Sequence, residues 1–229
     1  SIYTSPDLKS WKYESHVTGF WECPELFELA VDGNPNNKKW VMYGATGTYM
    51  LGSFDGKTFI PESGKYFYTK GSLYAGQTYT NIPNSDGRRI QIAWGRISHP
   101  SMPFNGMMLL PTELTLHTTK EGIRLFSNPI KETKQLFTPL KKWASLTSDK
   151  ANDHLKEFRN AETLRIKTTF KLSHATSAGI DLFGQRILDY DMNANTINSV
   201  FYSPEDRNSM ELTADIYICL LYTSDAADE

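Results

Sequence analysis

The sequence is poor in cysteine, in long apolar runs and in blocks of basic charge. Its 229 residues contain two cysteines, Cys23 and Cys219, too few for the disulfide framework of a small secreted domain. No apolar run approaches the roughly 20 residues needed to cross a bilayer. The formal net charge is −2, and no basic cluster is present. These absences argue against a membrane and against nucleic acid as partners.

The sequence also lacks an initiating methionine and a signal-like segment. It begins at Ser1 with a strand-like Ile2-Tyr3-Thr4 run. From this we expect an incomplete fragment whose upstream residues are missing. The absence of a targeting signal therefore leaves the compartment open.

Aromatic residues, in contrast, are abundant. They make up 13% of the chain, with 12 Tyr and 12 Phe. Short apolar runs alternate with Gly, Asn and Asp turns, including a turn cluster at 32–37, at intervals of roughly 8–12 residues, which is typical of all-β proteins. Two units of three or four strands are predicted, near 20–60 and 72–126. Repeated four-stranded units without helices favour propeller blades.

The composition changes near residue 128. A polar stretch over 128–145 predicts a linker with a short turn or helix, and strands resume after it. The residues Leu164, Ile166, Thr168 and Phe170 alternate with polar positions, as expected for sheets with one polar face. The region 146–218 is therefore predicted to be a second all-β domain, a β-sandwich.

One stretch, Gly19–Phe27, places a carboxylate among apolar residues. Glu22 lies between Trp21 and the Cys23-Pro24 pair. If this run is a strand ending in a pocket, apolar surroundings would favour the protonated carboxyl group and allow Glu22 to act as a general acid. The alternative is a solvated acid at a strand end beside core aromatic residues.

The stretch Trp21–Pro24 resembles the Glu-Cys-Pro motif of glycoside hydrolase family 32, the fructan- and sucrose-cleaving β-fructosidases. Further segments of the chain resemble the family in the same order, and together they make the likeness specific. These segments are Tyr3–Trp11, Leu73–Tyr79, Gly87–Trp94 and Met102–Leu116. The resemblance as a whole extends over about residues 1–218.

The resemblance implies a five-bladed propeller followed by a β-sandwich, with both domains incomplete. It implies retaining hydrolysis of terminal β-D-fructofuranosyl linkages in levan, inulin or sucrose, with Glu22 as the acid/base. Cys23 would be a small buried thiol, not a nucleophile. It also implies no cofactor, and a secreted or periplasmic location is compatible with it.

The family's nucleophile, an aspartate in an Asn-Asp-Pro type motif, has no match in this sequence. The Arg-Asp-Pro motif of the second blade is missing as well. We therefore expect a fragment that begins inside the second blade, with 1–127 forming the later blades. Such a fragment would carry the acid/base and would be inactive by itself.

Other candidate site residues are weaker. Trp94 is either a sugar-stacking wall or part of a blade core, and Tyr74 and Gln77 either line the pocket or are structural. Where many members of the family have an acid, this chain has Lys70-Gly71-Ser72, which leaves contacts to the fructose hydroxyls open. Arg88 and Arg89 are expected to hold the blade through surface or backbone contacts, and a structural ion pair is favoured over catalysis for Glu113. No metal site is predicted, because the following histidines lack ligand-like spacing: His99, His117, His154 and His174.

The last residues, 219–229, break the sandwich pattern. A coding sequence for them resembles a transposase adapter used in preparing sequencing libraries, so we expect this tail to be an artefact. Two alternatives to the β-fructosidase remain open. One is another five-bladed glycosidase, and the other is a non-catalytic carbohydrate-binding propeller and sandwich module.

Overall fold

A computed structural model describes residues 1–99, 102–161, 163–172, 175–182, 185–194, 196–198, 200–201 and 211–219. The chain divides into two compact units, one ending at Lys134 and the other beginning at Gln135. This boundary falls inside the segment predicted as a linker, and the predicted domain limits at 127 and 146 stay predictions.

The first unit opens with a hairpin, β1 (Ile2–Thr4) and β2 (Lys12–Ser15). A four-stranded antiparallel meander follows, in which each strand pairs with the next. Its strands are β3 (Glu25–Val31), β4 (Asn34–Tyr43), β5 (Thr48–Phe54) and β6 (Phe59–Phe67).

A second antiparallel meander follows in the same unit. It runs in the spatial order β7-β8-β10-β11, and the short β9 pairs with β8. The strands are β7 (Leu73–Thr78), β8 (Arg89–Gly95), β9 (Met107–Met108), β10 (Thr112–Thr119) and β11 (Gly122–Pro129). These two four-stranded meanders confirm the all-β prediction and the repeated units on which it rested.

The turn between β3 and β4 is shorter than predicted. Only Asp32 and Gly33 form it, with φ angles of 54° and 71°, as in the two-residue hairpin turns that match strand twist. Asn34 pairs with Val31, and the next pairing joins Lys38 to Ala30, so the predicted turn cluster at 32–37 is in part a bulge. The predicted six-residue turn is therefore wrong.

The same turn joins the two meanders. The Asp32 carboxylate accepts hydrogen bonds from the Thr118 amide at 2.9 Å and the Thr118 hydroxyl at 2.6 Å. A parallel contact pairs Val31 of β3 with Leu116 of β10. The buried core draws on both meanders, and its members are Phe27, Val31, Val41, Tyr43, Tyr49, Leu51, Leu114, Leu116 and Leu125.

The second unit begins within a 3₁₀ helix, Lys131–Leu136. It then contains a helix that the sequence analysis missed, α1 (Ser148–Leu155). The Thr147 hydroxyl caps this helix by accepting from the Lys150 amide. Such a Thr-Ser-Asp start is a recognisable helix signal, and a 3₁₀ turn, Lys156–Phe158, follows.

Two antiparallel sheets complete the described part of this unit. The first sheet pairs β12 (Thr163–Lys171) with β17 (Glu211–Cys219). The second sheet has four strands, each paired with the next along the chain: β13 (Ser177–Leu182), β14 (Gln185–Asp191), β15 (Thr196–Ile197) and β16 (Val200–Phe201). The alternating face predicted in 163–171 lies in β12. Except for Cys219, the tail predicted to be an artefact lies outside the described residues. Among the described residues, no helix is long and apolar enough to span a bilayer.

Candidate active site

Glu22 lies in the loop between β2 and β3, three residues before β3 begins. Pro24 has no N–H to donate to a strand ladder, and Cys23 has a φ of 48°. For these reasons the stretch ahead of Glu25 does not continue the strand. Glu22 is exposed, and Trp21 is exposed to 101%. The expectation that apolar residues enclose the carboxyl group is therefore wrong.

The exposed carboxylate has one defined partner in the second meander. The Tyr74 hydroxyl donates a hydrogen bond to Oε1 of Glu22. Trp94 faces Tyr74 across β7 and β8, with the ring centroids 6.2 Å apart and the planes at 84°. Trp94 is 44% exposed. The structure thus brings together Glu22, Tyr74 and Trp94, the candidates that the sequence placed far apart.

Two neighbours pack against these rings. The Arg96 guanidinium lies 4.1 Å from the centroid of the Tyr74 ring, a cation–π distance. Gly106, with a φ of 76°, lies so close to Trp94 that a Cβ there would come within 2.1 Å of Nε1. Sequence reasoning missed Arg96 and Gly106, because only the fold places Arg96 against the Tyr74 ring and Gly106 against the Trp94 ring.

The backbone around Glu22 is held through Ala45. The Ala45 N–H donates to the Glu22 carbonyl at 3.1 Å, and the Ala45 carbonyl accepts from the Ala75 N–H at 3.0 Å. Ala75, like Cys23, has a φ of 48°, a left-handed conformation that costs a non-glycine residue roughly 1–3 kcal/mol. Cys23 and Ala75, the residues next to Glu22 and Tyr74, thus have unusual conformations at two segments that both hydrogen-bond to Ala45.

Beside the exposed residues lies a largely buried polar network. Glu25 accepts hydrogen bonds from the Thr78 amide at 2.8 Å, from the Thr78 hydroxyl at 3.1 Å and from the Tyr43 hydroxyl. The Arg89 guanidinium donates to the Thr78 hydroxyl at 3.3 Å and lies 4.8 Å from the centroid of the Phe27 ring. Burial raises the pKa of Tyr43 well above its usual value, and the hydrogen bond to Glu25 adds to this shift.

The network continues through Gln91, which is 1% exposed. The Gln91 amide donates to the Tyr68 hydroxyl at 3.0 Å. Burial raises the pKa of Tyr68 to about 12. Gly76 packs so closely on Gln91 that a Cβ would lie 2.8 Å from Nε2. Sequence reasoning missed this network, although Glu25, a second acid in the Glu22 motif, was a signal for it.

Arg88 forms ion pairs with two acidic side chains. Its guanidinium bonds Asp86 at 2.6 Å and, through two nitrogens, Glu132 at 2.9 Å. The side-chain hydrogen bond from Arg88 lowers the pKa of Asp86 to about 2. Within the described ranges no ion pair reaches Glu113, so the ion pair favoured for that residue is not seen.

The remaining candidates are spread over the chain. Gln77 is exposed on β7, and Cys23 is a half-buried free thiol. His99 lies in the loop after β8, His117 in β10 and His154 in α1, whereas His174 is outside the described residues. In the part of the chain that the structure covers, no three His, Cys, Asp or Glu side chains are grouped as metal ligands would be. The absence of a metal site stays a prediction.

Known proteins resemble this chain over much of its length. It is 35% identical over 205 residues to the levanase of Bacillus subtilis (strain 168), covering 77% of this chain and 30% of the levanase. It is 26% identical to an extracellular exo-inulinase of Aspergillus niger, covering 89% of this chain and 48% of that protein. An invertase of Wickerhamomyces anomalus is 31% identical, with 66% of this chain and 34% of the invertase covered. The chain thus spans less than half the length of these relatives.

The fold has a counterpart among solved structures. The crystal structure of exo-inulinase from Aspergillus awamori superposes with a TM-score of 0.69 at 22% identity, covering 94% of this chain and 52% of that one. This likeness supports the partial five-bladed propeller followed by a partial β-sandwich. The family model for the N-terminal domain of glycosyl hydrolases family 32 matches residues 1–129. The chain therefore belongs to glycosyl hydrolase family 32.

Proposed function

We propose that the chain is part of a retaining β-fructosidase that hydrolyses terminal β-D-fructofuranosyl linkages in fructans or sucrose. Family membership and relatives named levanase, exo-inulinase and invertase support this substrate class. The observation that carries the proposal is the exposed Glu22 carboxylate, which accepts a hydrogen bond from Tyr74 beside the half-exposed Trp94.

In this proposal Glu22 is the acid/base. A separate carboxylate attacks the anomeric carbon while the bond to the leaving oxygen breaks, and Glu22 gives its proton to that oxygen. Glu22 then takes a proton from water, whose oxygen attacks the same carbon and displaces the enzyme carboxylate. The exposure of Glu22 supports this role, because the group must reach both the leaving oxygen and water.

The nucleophile is not assigned to any of the 229 residues. The family's Asn-Asp-Pro motif has no match in the sequence. Glu25, the nearest acid in the sequence, already accepts from Thr78 and Tyr43. A nucleophile with these partners would lose them on attacking the sugar. The proposal therefore takes the nucleophile from elsewhere in the complete gene product, and expects residues 1–229 alone to be inactive.

Tyr74 and Trp94 are proposed to contact the substrate beside Glu22. The exposed face of Trp94 offers the kind of aromatic surface on which sugar rings pack. The Tyr74 hydroxyl holds one oxygen of Glu22 and leaves Oε2 available for proton transfer.

The test replaces Glu22 with Gln in the complete gene product. Because the amide has no acidic proton, kcat on levan and inulin should fall by about 10²–10⁴-fold. A fructoside with an activated aryl leaving group should be affected less in its first step, since that group needs little protonation. Fructose release and aryl release measure the two rates. The matched control is Glu28→Gln, which changes an exposed acid of β3 paired with Lys38 and should leave both rates near the parent values.

A variant Glu22→Gln that hydrolyses levan at more than about a tenth of the parent kcat would contradict the acid/base role. The binding-module alternative draws on the fully exposed Trp21 and the half-exposed Trp94. It predicts that the complete gene product binds levan without releasing fructose. Measuring fructose release by the parent protein in the same assay therefore decides between the two functions.

A further inference from the structure

Glu25 and Thr78 join two segments that carry the proposed active-site residues. Glu25 is three residues after Glu22, and Thr78 is four residues after Tyr74. Both oxygens of Glu25 are used by Thr78, Oε2 by the amide at 2.8 Å and Oε1 by the hydroxyl at 3.1 Å. The first meander and the second meander are thus tied together directly beside the exposed pair.

The two segments meet at their other end as well. Ala45 bridges the Glu22 carbonyl and the Ala75 amide through backbone hydrogen bonds, and the Tyr74 hydroxyl reaches Oε1 of Glu22. The segments 22–25 and 74–78 are therefore joined at both ends. Both the Tyr74–Glu22 and the Thr78–Glu25 contacts end on a carboxylate, and hydrogen bonds to a charged acceptor are stronger than neutral ones. The Thr78–Glu25 contact consists of two such bonds.

The surroundings favour a fixed geometry for this tie. Thr78 is only 9% exposed, and its hydroxyl can donate to Glu25 while it accepts from Arg89. Tyr43, which is fully buried, donates to the same carboxylate from the end of β4. Every donor around Glu25 therefore comes from a strand end that packing holds in place.

We propose that Glu25 and Thr78 are positioning residues, which hold the Glu22 segment against the Tyr74 segment and so keep the Tyr74 hydroxyl on the Glu22 carboxylate. The proposal rests on the proposed function for its consequence in catalysis. A catalytic group displaced by about 1 Å can lose 10²-fold in rate, so loosening the tie should lower kcat more than it weakens substrate binding. A purely structural role would instead lower stability and leave the chemistry of the folded enzyme unchanged.

The test compares Thr78→Val with Thr78→Ser in the complete gene product. Valine has nearly the shape of threonine but lacks the hydroxyl, whereas serine keeps it. The backbone amide donor to Glu25 remains in both variants. For Thr78→Val we expect kcat on levan to fall about tenfold, within the range for displaced catalytic groups, with KM changed less than kcat. Thr78→Ser should recover most of the parent kcat.

A second readout does not depend on activity. In protein labelled with ¹³C at the tyrosine Cζ, the resonance of Tyr74 is identified by its loss in Tyr74→Phe. This resonance should move in Thr78→Val, because the phenol loses its partner on Glu22, and should stay near the parent position in Thr78→Ser. Tyr43→Phe, which removes another donor to Glu25, is read in the same way if Thr78→Val does not fold.

The outcomes separate this proposal from the proposed function. Equal kcat values and equal Tyr74 resonances in the valine and serine variants, with only the unfolding temperature differing, would overturn the positioning role. If the parent does not hydrolyse fructan but the Tyr74 resonance moves in Thr78→Val and not in Thr78→Ser, the tie stands and the proposed function fails.

Discussion

Glu22 and Glu25 belong to one short motif, yet their surroundings differ in every respect that matters for chemistry. Glu22 is exposed, and from the described residues its carboxylate accepts one hydrogen bond, from the Tyr74 hydroxyl. Glu25 is half-buried and accepts three, from Thr78 and Tyr43. A carboxylate with its oxygens already used is suited to holding strands together, whereas one with a free oxygen can exchange a proton. We thus propose two different roles for the same residue type, three positions apart.

The comparison extends to the residues around each acid. Beside Glu22, Trp21 and Trp94 present aromatic surface to solvent. Around Glu25, Tyr43 and Gln91 are almost fully buried. Changes in the exposed region should therefore alter function with little effect on folding, whereas changes in the buried network should lower stability and, through the proposed Glu25–Thr78 tie, also lower kcat.

The largest expected difference in stability is between Glu25→Ala and Glu22→Ala. Removing Glu25 leaves the Thr78 donors without their acceptor and leaves the buried Tyr43 hydroxyl with the Gly76 carbonyl at 3.2 Å as its remaining acceptor, which should lower the free energy of unfolding by about 2–3 kcal/mol. Removing the exposed Glu22 should change it by less than about 0.5 kcal/mol. Urea denaturation followed by circular dichroism measures both values in the complete gene product. Similar losses of stability in the two variants would contradict the structural difference between the tied Glu25 and the exposed Glu22.

A matched pair of glycine substitutions gives the next largest difference. Gly76→Ala places a Cβ 2.8 Å from Nε2 of the buried Gln91, and overpacking of this kind costs about 1–3 kcal/mol. Gly106→Ala meets the half-exposed Trp94, whose indole can swing towards solvent, so the remaining cost is about 1 kcal/mol for a left-handed alanine.

Two measurements distinguish these glycine variants. Urea denaturation should rank Gly76→Ala as the less stable. Tryptophan emission should change more in Gly106→Ala, and this change should vanish in the Trp94→Phe background. If Gly106→Ala leaves the emission unaltered, the close packing of this glycine on Trp94 is not present in solution.

A further expected effect is a pH dependence from Tyr68. Burial holds the pKa of Tyr68 at about 12 in the folded protein, against 10.0 for the ordinary side chain. The folded state therefore retains this proton when the unfolded state has lost it, so the stability gained from protonated Tyr68 is complete below pH 10 and is lost as the pH rises from 10 to 12. Tyr68→Phe should make the fall in stability over this range shallower, as measured by urea denaturation at each pH.

The control for this prediction is Tyr3→Phe, because Tyr3 is 51% exposed and should not change the slope. Parallel slopes for the parent and Tyr68→Phe would mean that Tyr68 ionises at its ordinary pH in the folded protein, and that this end of the buried network is open to solvent.

Local patterns in the sequence predicted the all-β class and the two strand-rich units, and the resemblance to the family implied the role of Glu22 and the candidates Tyr74 and Trp94. The local patterns did not predict α1, although Thr147 was a recognisable cap, and they ended the first strand-rich unit near residue 60, whereas β6 continues to Phe67. The turn at 32–37 was predicted too long, because a bulge next to a tight turn has the same Asn- and Pro-rich composition as a loop.

The sequence by itself determined the strand-forming segments and the residue types of the Glu22 motif, because alternation, turn residues and motif spacing are local properties of the chain. The tertiary structure alone decided which acid is exposed and which is tied. Glu22 and Tyr74 are 52 residues apart, as their hydrogen bond records, and Glu25 and Thr78 are 53 apart. Contacts over such distances depend on how one meander packs against the next, and no local pattern specifies that arrangement.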